Sequence, residues 1–352
     1  MTRILAAFGS ALAGVWLAAC TPAPATDVTV LTYATQYSPS HPFSRADLAW
    51  MKWVEQRSGG HLRIQPYWSG SVLSAEHSMT EIRHGVVDIG LITPIYARGG
   101  AHLIHVQAAF YAGLGTFQQQ VALYRCLEHA DAQFGRELQG LVVLAVQGGN
   151  LPGIVTRDRP VRSLDDLRGL RLRAPVELLE VLRRFGADPV DMPMGEVYSA
   201  LAKGVLDGVV APADTLRSLH FAEVAHHFYA LSVPRGAYAA RAIGARRWQS
   251  LSGEQRSILQ EGVAVWEREL AHQLREAEVA GTVAGHEDGM AFSAAADADV
   301  ARFLAVYNEV AERNARLASR YEIDGLGPFH YARAVVARAV ATGKVECDGE
   351  PE

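Results

Sequence analysis

VRSLDDLRGLRLRAPVELLEVLRRFGADPVDMPMGEVYSALAKGVLDG, residues Val161–Gly208, reads as a compact β-α-β-α unit followed by a third strand. Leu170–Ala174 alternates apolar and basic residues, as a short half-buried strand does, and Pro175 stops it. Val176–Phe185 repeats apolar residues at helical spacing (Leu178, Leu179, Leu182, Phe185), and Gly186 is placed to cap its end. Asp188–Met192 is the second strand. Gly195–Lys203 is the second helix, with Val197, Ala200 and Leu201 on one stripe, and Gly204 ends it before the strand Val205–Val210. In open α/β sheets ligands sit in crevices at the carboxyl ends of the strands. Arg173, the last basic residue before Pro175, stands at such an end. Its guanidinium stays charged and presents a planar fork that fits a carboxylate bidentately. The alternation alone equally allows Arg171 and Arg173 to be residues of a solvated strand face.

The same stretch carries the order S-x-x-D-L-x-G-L-x-x-R-x-P on Ser163, Asp166, Leu167, Gly169, Leu170, Arg173 and Pro175. It continues as G-A-x-P-x-x-M-P-x-x-E-V-Y-x-A-L-x-x-G-x-x-D-G, running from Gly186 and Ala187 through Met192, Pro193, Glu196, Val197 and Tyr198 to Gly204, Asp207 and Gly208. This pattern resembles the substrate-binding proteins of tripartite ATP-independent periplasmic (TRAP) transporters, and the likeness extends weakly over almost the whole mature chain. The resemblance implies an α/β, two-lobe periplasmic-binding-protein-like fold with a hinge and a long helix bracing both lobes. It implies that Arg173 clamps the carboxylate of an organic acid, that the partners are the membrane subunits of such a transporter, and that no cofactor or metal is needed. Members that bind sialic acid carry a second arginine in the strand before this unit, where Gly153 stands here, and an asparagine where Ala211 stands. These departures argue against sialic acid and leave one arginine clamp, for a mono- or a dicarboxylate.

The chain of 352 residues is long enough for two domains, and its apolar share of 49% allows a sizeable core. A net charge of −5 argues against a nucleic-acid partner, which normally meets a basic face. At the N-terminus a short basic start precedes the apolar run Ile4–Leu17, too short to span a bilayer as a mature helix. Leu17-Ala18-Ala19-Cys20 resembles a bacterial lipobox, with cleavage before Cys20 and acylation of that cysteine; an ordinary signal peptide cut near Ala19 is the alternative. The expected plan is a signal peptide over 1–19 and a lipid-anchored tether over 20–27. Lobe I takes 28–151 with 237–278. Lobe II takes 152–236 with 279–342 and the C-terminal helices, and 343–352 is a flexible tail. Localisation follows as periplasm or cell envelope. Cys126 lies in an apolar helix pattern and Cys347 in the acidic tail, and a pair so distant is expected to form no disulfide.

Gly148-Gly149-Asn150 closes the apolar strand Leu141–Gln147 and marks the first crossing between lobes. G-x-x-D occurs twice, at Gly85–Asp88 and Gly204–Asp207, hinting at two similar lobes, with Asp88 fixing a helix-to-strand turn. Besides Arg173, the candidate substrate-binding residues are Met194 and Tyr198 from the M-P-M-G-E-V-Y turn, Asn150 at the crossing, and Gln36 and Thr93 in loops at strand ends. Asp214 completes the set, with Arg217 three residues on as its expected ion-pair partner. A hydrolase is the rival from another class, but no G-x-S-x-G, H-E-x-x-H or paired C-x-x-C occurs. A ligand sensor for a membrane receptor is the rival on the same scaffold.

Overall fold

The computed structural model describes residues 28–348; the expected signal segment, Cys20 and the expected tether to residue 27, and residues 349–352, lie outside it. Two sheets organise these residues. The first has the order β2-β1-β3-β10-β4, built from β1 (Thr29–Ala34), β2 (Leu62–Tyr67), β3 (Ile89–Leu91), β4 (Leu141–Gln147) and β10 (Tyr238–Gly244). The second has the order β11-β9-β5-β8-β6-β7. Its strands are β5 (Gly153–Thr156), β6 (Arg171–Arg173), β7 (Asp188–Val190), β8 (Gly208–Ala211), β9 (His227–Ala230) and β11 (Ala291–Ala294).

Each sheet contains the same half. In the first, β2, β1 and β3 run parallel with β1 in the middle; in the second, β7, β6 and β8 run parallel with β6 in the middle. Each half is then joined edgewise by an antiparallel strand, β10 beside β3 and β5 beside β8. The paired G-x-x-D motifs are the matching corners. Gly85 and Gly204 both take positive φ, +77° and +69°, at the end of a helix. Three residues on, Asp88 Oδ2 accepts from the Thr32 N–H at 2.8 Å and Asp207 Oδ2 accepts from the Arg171 N–H at 2.7 Å. Each aspartate thus ties the start of the incoming strand to the central one.

The chain passes between the sheets three times: from β4 to β5, from β9 to β10, and along the helix Val263–Glu287 toward β11. That last helix packs on Pro42–Arg57 of the first lobe at one end and on Asp214–Ser218 of the second at the other. Gly281 makes the second contact possible, since a Cβ there would lie 2.0 Å from the Ala213 carbonyl oxygen. The helix Gly253–Glu261 precedes it, separated from it at Gly262.

One expectation about the C-terminus fails. The helix Leu326–Thr342 lies against Phe117–Ala130 and against Asp297–Leu317. Gly343, at φ +79°, then turns the chain back. Cys347 is thereby brought into a disulfide with Cys126, 221 positions away, with Cα atoms 5.1 Å apart. No local spacing announces such a pair, because helix packing sets it. Closing so long a loop stabilises the fold by roughly 5 kcal/mol on chain-entropy grounds. The tail is fastened as far as Asp348, which pairs with Arg338.

Candidate functional site

The two central strands end at the same place. β1 runs out at Ala34 and leads to Tyr37; β6 runs out at Arg173 and leads to Pro175; and the cleft between the lobes is lined by Tyr37, Arg173 and Pro175 among others. Both ends are points where the strand order reverses, the position at which doubly wound sheets bind ligands. The empty space amounts to about 940 Å³ including the open mouth. That suits a small molecule.

Arg173 is the centre of this cleft. It is 2% exposed. Nε donates to the Met192 carbonyl at 2.8 Å, and Nη2 donates across the lobes to the Tyr96 hydroxyl at 2.8 Å. The Tyr96 ring stands 6.0 Å from its Cζ. It makes no ion pair among the described residues. The other deeply buried arginine, Arg241 at 1% exposure, binds Asp47 with Nε–Oδ1 at 2.7 Å. A buried charge is normally paired. Arg173 therefore presents a cation without an ion-pair partner to a cavity at the sheet's switch point.

Tyr37, Phe43, Tyr96 and Tyr238 supply aromatic wall, and Leu178, Met194 and Val210 supply aliphatic wall. His41 also lines the cleft, but burial, reinforced by Arg241, Arg45 and Arg235, pushes it down to about 3. It stays neutral and uses Nδ1 to accept from the Phe43 N–H at 3.2 Å, capping the helix Pro42–Arg57.

The expected site residues separate. Arg173, Met194, Thr93 and Asp214 line the cleft. The Thr93 hydroxyl is committed to its own lobe, donating to the Ala75 carbonyl at 2.5 Å. Asn150, Gln36 and Tyr198 are not on the cleft wall. Asn150 Nδ2 donates to Asp214 Oδ1 at 3.2 Å and to the Leu274 carbonyl at 3.0 Å, so it ties the first crossing to the brace helix. Gln36 Nε2 donates to the Ser74 carbonyl at 3.1 Å. Tyr198 lies one turn beyond Met194, about 6 Å farther along the helix axis, and its hydroxyl donates to Glu223 at 2.9 Å. Asp214 does not pair with Arg217, which is exposed, but turns inward to Asn150.

The single-arginine expectation is corrected as well. A side chain at Gly153 is excluded, because a Cβ there would lie 2.6 Å from both Phe228 Cζ and the Tyr229 carbonyl oxygen. A second cation nevertheless reaches the cleft from the β9–β10 crossing. Arg235 lines it, lies over Gly149 and donates weakly to the Asn150 carbonyl at 3.4 Å. It has no ion-pair partner among the described residues. Sequence patterning missed Arg235, Tyr96 and Glu177 because nothing local distinguishes them; each is brought in by a crossing or a loop.

Acids gather where the crossings meet. Asp214 is held above the usual carboxylate range by burial, partly offset by Arg235. Glu278 of the brace helix accepts from the Asp214 N–H at 3.2 Å, and burial together with the Asp214 charge pushes it up to about 7. A glutamic acid whose folded pKa exceeds its unfolded value holds extra protons in the folded state. Its contribution to stability is present below about pH 4.5 and is lost as pH rises toward 7. The melting temperature of wild type is therefore expected to fall more steeply from pH 5 to pH 7.5 than that of Glu278→Gln. The difference corresponds to about 1 kcal/mol after allowance for partial exposure. Parallel melting curves in matched buffers check it; equal slopes would remove Glu278 from this role.

Residues 33–316 match the family described as bacterial extracellular solute-binding protein, family 7. A solute-binding protein of Albidiferax ferrireducens is 27% identical over 177 residues, 49% of this chain and 51% of the relative. The chain spans about half the length of the curated relatives it matches. A TRAP solute-binding protein of Rhodoferax ferrireducens, solved with copurified benzoate, superposes with a TM-score of 0.81 at 21% identity, covering 90% of this chain and 100% of that one. One from Bordetella bronchiseptica, solved with (R)- and (S)-mandelate, gives 0.77 at 20% identity, covering 88% and 99%. No helix among the described residues is long and apolar enough to cross a membrane. With two lobes of one topology, a cleft at their switch points and a family match over most of its length, the chain belongs to the bacterial extracellular solute-binding protein family 7.

Proposed function

We propose that this protein captures a small organic acid in the interlobe cleft, an aromatic monocarboxylate foremost, and delivers it to the membrane subunits of a TRAP-type transporter. The observation that carries the reading is Arg173: buried, charged, without a carboxylate partner, and set among aromatic walls. The forked guanidinium takes the carboxylate, while Tyr37, Phe43 and Tyr96 offer faces and edges to a ring. Benzoate and mandelate in the two solved relatives support the same class. The task is binding, not catalysis, in keeping with the family. The Cys126–Cys347 bridge suits an oxidising compartment outside the cytoplasm, and acylated Cys20 is the proposed anchor there.

The test is a melting-temperature screen of the chain from Thr26 onward, with benzoate, mandelate, succinate, glucuronate and a neutral amide control. A ligand that binds only the folded state raises the melting temperature. Benzoate or mandelate at millimolar concentration is expected to raise it by several degrees and benzamide not at all. No shift with any carboxylate, confirmed by the absence of calorimetric heat, overturns the reading.

A further inference from the structure

Glu177 has no task in the account so far. It follows Pro175 on the short turn Val176–Leu178 and lines the interlobe cleft. It also borders a second cavity, lined by His102, His105 and Tyr321, and so stands in the partition between the two. The residue is half-buried, but its Oε2 is shut off from solvent and has no hydrogen-bond partner. An acceptor left in that condition carries an uncompensated desolvation cost. Buried polar groups otherwise find partners.

The groups around it define what the missing partner is. Arg173 and Arg235 act on it electrostatically from the cleft and Asp191 from beyond β7. Tyr307, on the helix Asp297–Leu317, feels its charge in turn and also has a hydroxyl without a partner. Neither arginine forms an ion pair with it. A ligand ammonium is disfavoured beside two guanidinium groups, because like charges at short range repel. A neutral hydroxyl is not. Burial pushes the Glu177 carboxyl up to about 7. Near neutral pH it therefore either accepts from a hydroxyl or donates to one, without excluding an anion held by Arg173.

We propose that Glu177 is a specificity-determining residue that hydrogen-bonds a ring hydroxyl of the bound acid, so that the cleft prefers a hydroxylated aromatic carboxylate to its unsubstituted parent. The inference rests on the reading of the cleft as a carboxylate site. Arg173 fixes the carboxylate, the aromatic walls fix the ring plane, and the hydroxyl reaches Glu177. A site built to hydrogen-bond a hydroxyl discriminates strongly against the analogue lacking it, because the protein group is then left unpaired.

The experiment is calorimetric titration of wild type, Glu177→Gln and Glu177→Leu with benzoate and with 2-, 3- and 4-hydroxybenzoate, circular dichroism confirming that each variant is folded. Wild type is expected to prefer one hydroxybenzoate over benzoate by about 10-fold or more. Glu177→Leu is expected to reduce that preference below about threefold, and Glu177→Gln to keep part of it. No preference in wild type overturns the inference, as does a preference that survives in both variants. Tyr307→Phe serves as the structural control. If Glu177 merely pairs with Tyr307, both single variants shift the melting temperature and the hydroxyl preference persists, which also overturns it. Benzoate binding that Arg173→Met abolishes, without any hydroxyl preference, sinks this inference and leaves the carboxylate reading standing; absence of binding by all four acids sinks both.

Discussion

Replacing Arg173 by methionine is expected to weaken carboxylate binding by about 100-fold or more while leaving the empty protein at least as stable as before. Truncating one partner of a buried, hydrogen-bonded charge pair costs about 2–5 kcal/mol of affinity. That range corresponds to factors from about thirty to several thousand, and the fork of Arg173 is the only guanidinium at the end of a central strand in this cleft. The stability half of the expectation follows from its environment. Arg173 is buried with two neutral partners, the Met192 carbonyl and the Tyr96 hydroxyl, and no ion-pair partner among the described residues, Glu177 and Asp191 acting on it only at longer range. Removing a buried cation that lacks an ion pair relieves a desolvation penalty, and methionine fills comparable space along the same stem. Function and stability thus pull apart at this position, as they do at sites held ready for a ligand. Arg173→Lys keeps the charge but loses the planar fork and the Tyr96 bond, and falls between wild type and methionine. Calorimetric titration with the best acid and thermal melting without it check both halves. A dissociation constant for Arg173→Met within tenfold of wild type would show that the carboxylate sits elsewhere.

The contact between Arg173 and Tyr96 bears on closure as well as on affinity. Tyr96 follows β3 in the first lobe and Arg173 ends β6 in the second, so the guanidinium already spans the cleft. An anion bound to its free edge adds a tie between the lobes, which is how a ligand shifts a hinge toward the closed state. Arg235 adds to this from the hinge itself, since it packs against the first crossing at Gly149 and Asn150.

What was legible in the sequence was whatever a single segment encodes. The strands β4, β6, β7 and β8, and the two helices of the Val161–Gly208 unit, follow from apolar periodicity ended by glycine or proline. The two G-x-x-D corners could be matched because each is a local device, a left-handed glycine followed by an aspartate that reaches the neighbouring strand. Arg173 was legible for the same reason: it sits in a strand-proline junction with a recognisable order around it. Tyr198, on a recognisable motif too, was misread because helix rise carries it past the cleft. Arg235, Tyr96 and Glu177 carry no local signal, and the strand β11 is a half-exposed edge of four residues without alternation. The disulfide is the extreme case. Its two cysteines meet only because the C-terminal helix Leu326–Thr342 packs against the helix Phe117–Ala130.

The buried pair Asp47–Arg241 carries the second large expectation: Asp47→Ala is expected to lose about 3–5 kcal/mol of stability, because it leaves a cation stranded in the core. Asp47 is fully buried, and both its oxygens are saturated. Oδ1 accepts from Arg241 Nε and Trp266 Nε1, each at 2.7 Å; Oδ2 accepts from Arg241 Nη2 at 3.1 Å and the Tyr33 hydroxyl at 2.5 Å. Arg241 in turn lies 4.8 Å from the Trp266 ring and donates to Gln147 Oε1 at 3.1 Å, and Gln147 Nε2 donates to the Tyr238 hydroxyl at 2.8 Å. One carboxylate therefore joins the first helix, strand β10 and the start of the brace helix, and the chain of bonds ends on a tyrosine of the cleft wall. For a body of this size the loss corresponds to a fall of roughly 5–7 °C in melting temperature. The double replacement Asp47→Leu with Arg241→Met removes both charges, so it is expected to lose less than Asp47→Ala alone, even though it deletes more hydrogen bonds. That ordering separates a stranded charge from simple loss of contacts. If the double variant is the less stable of the two, the network's hydrogen bonds, not its charge balance, hold the brace helix to the first lobe.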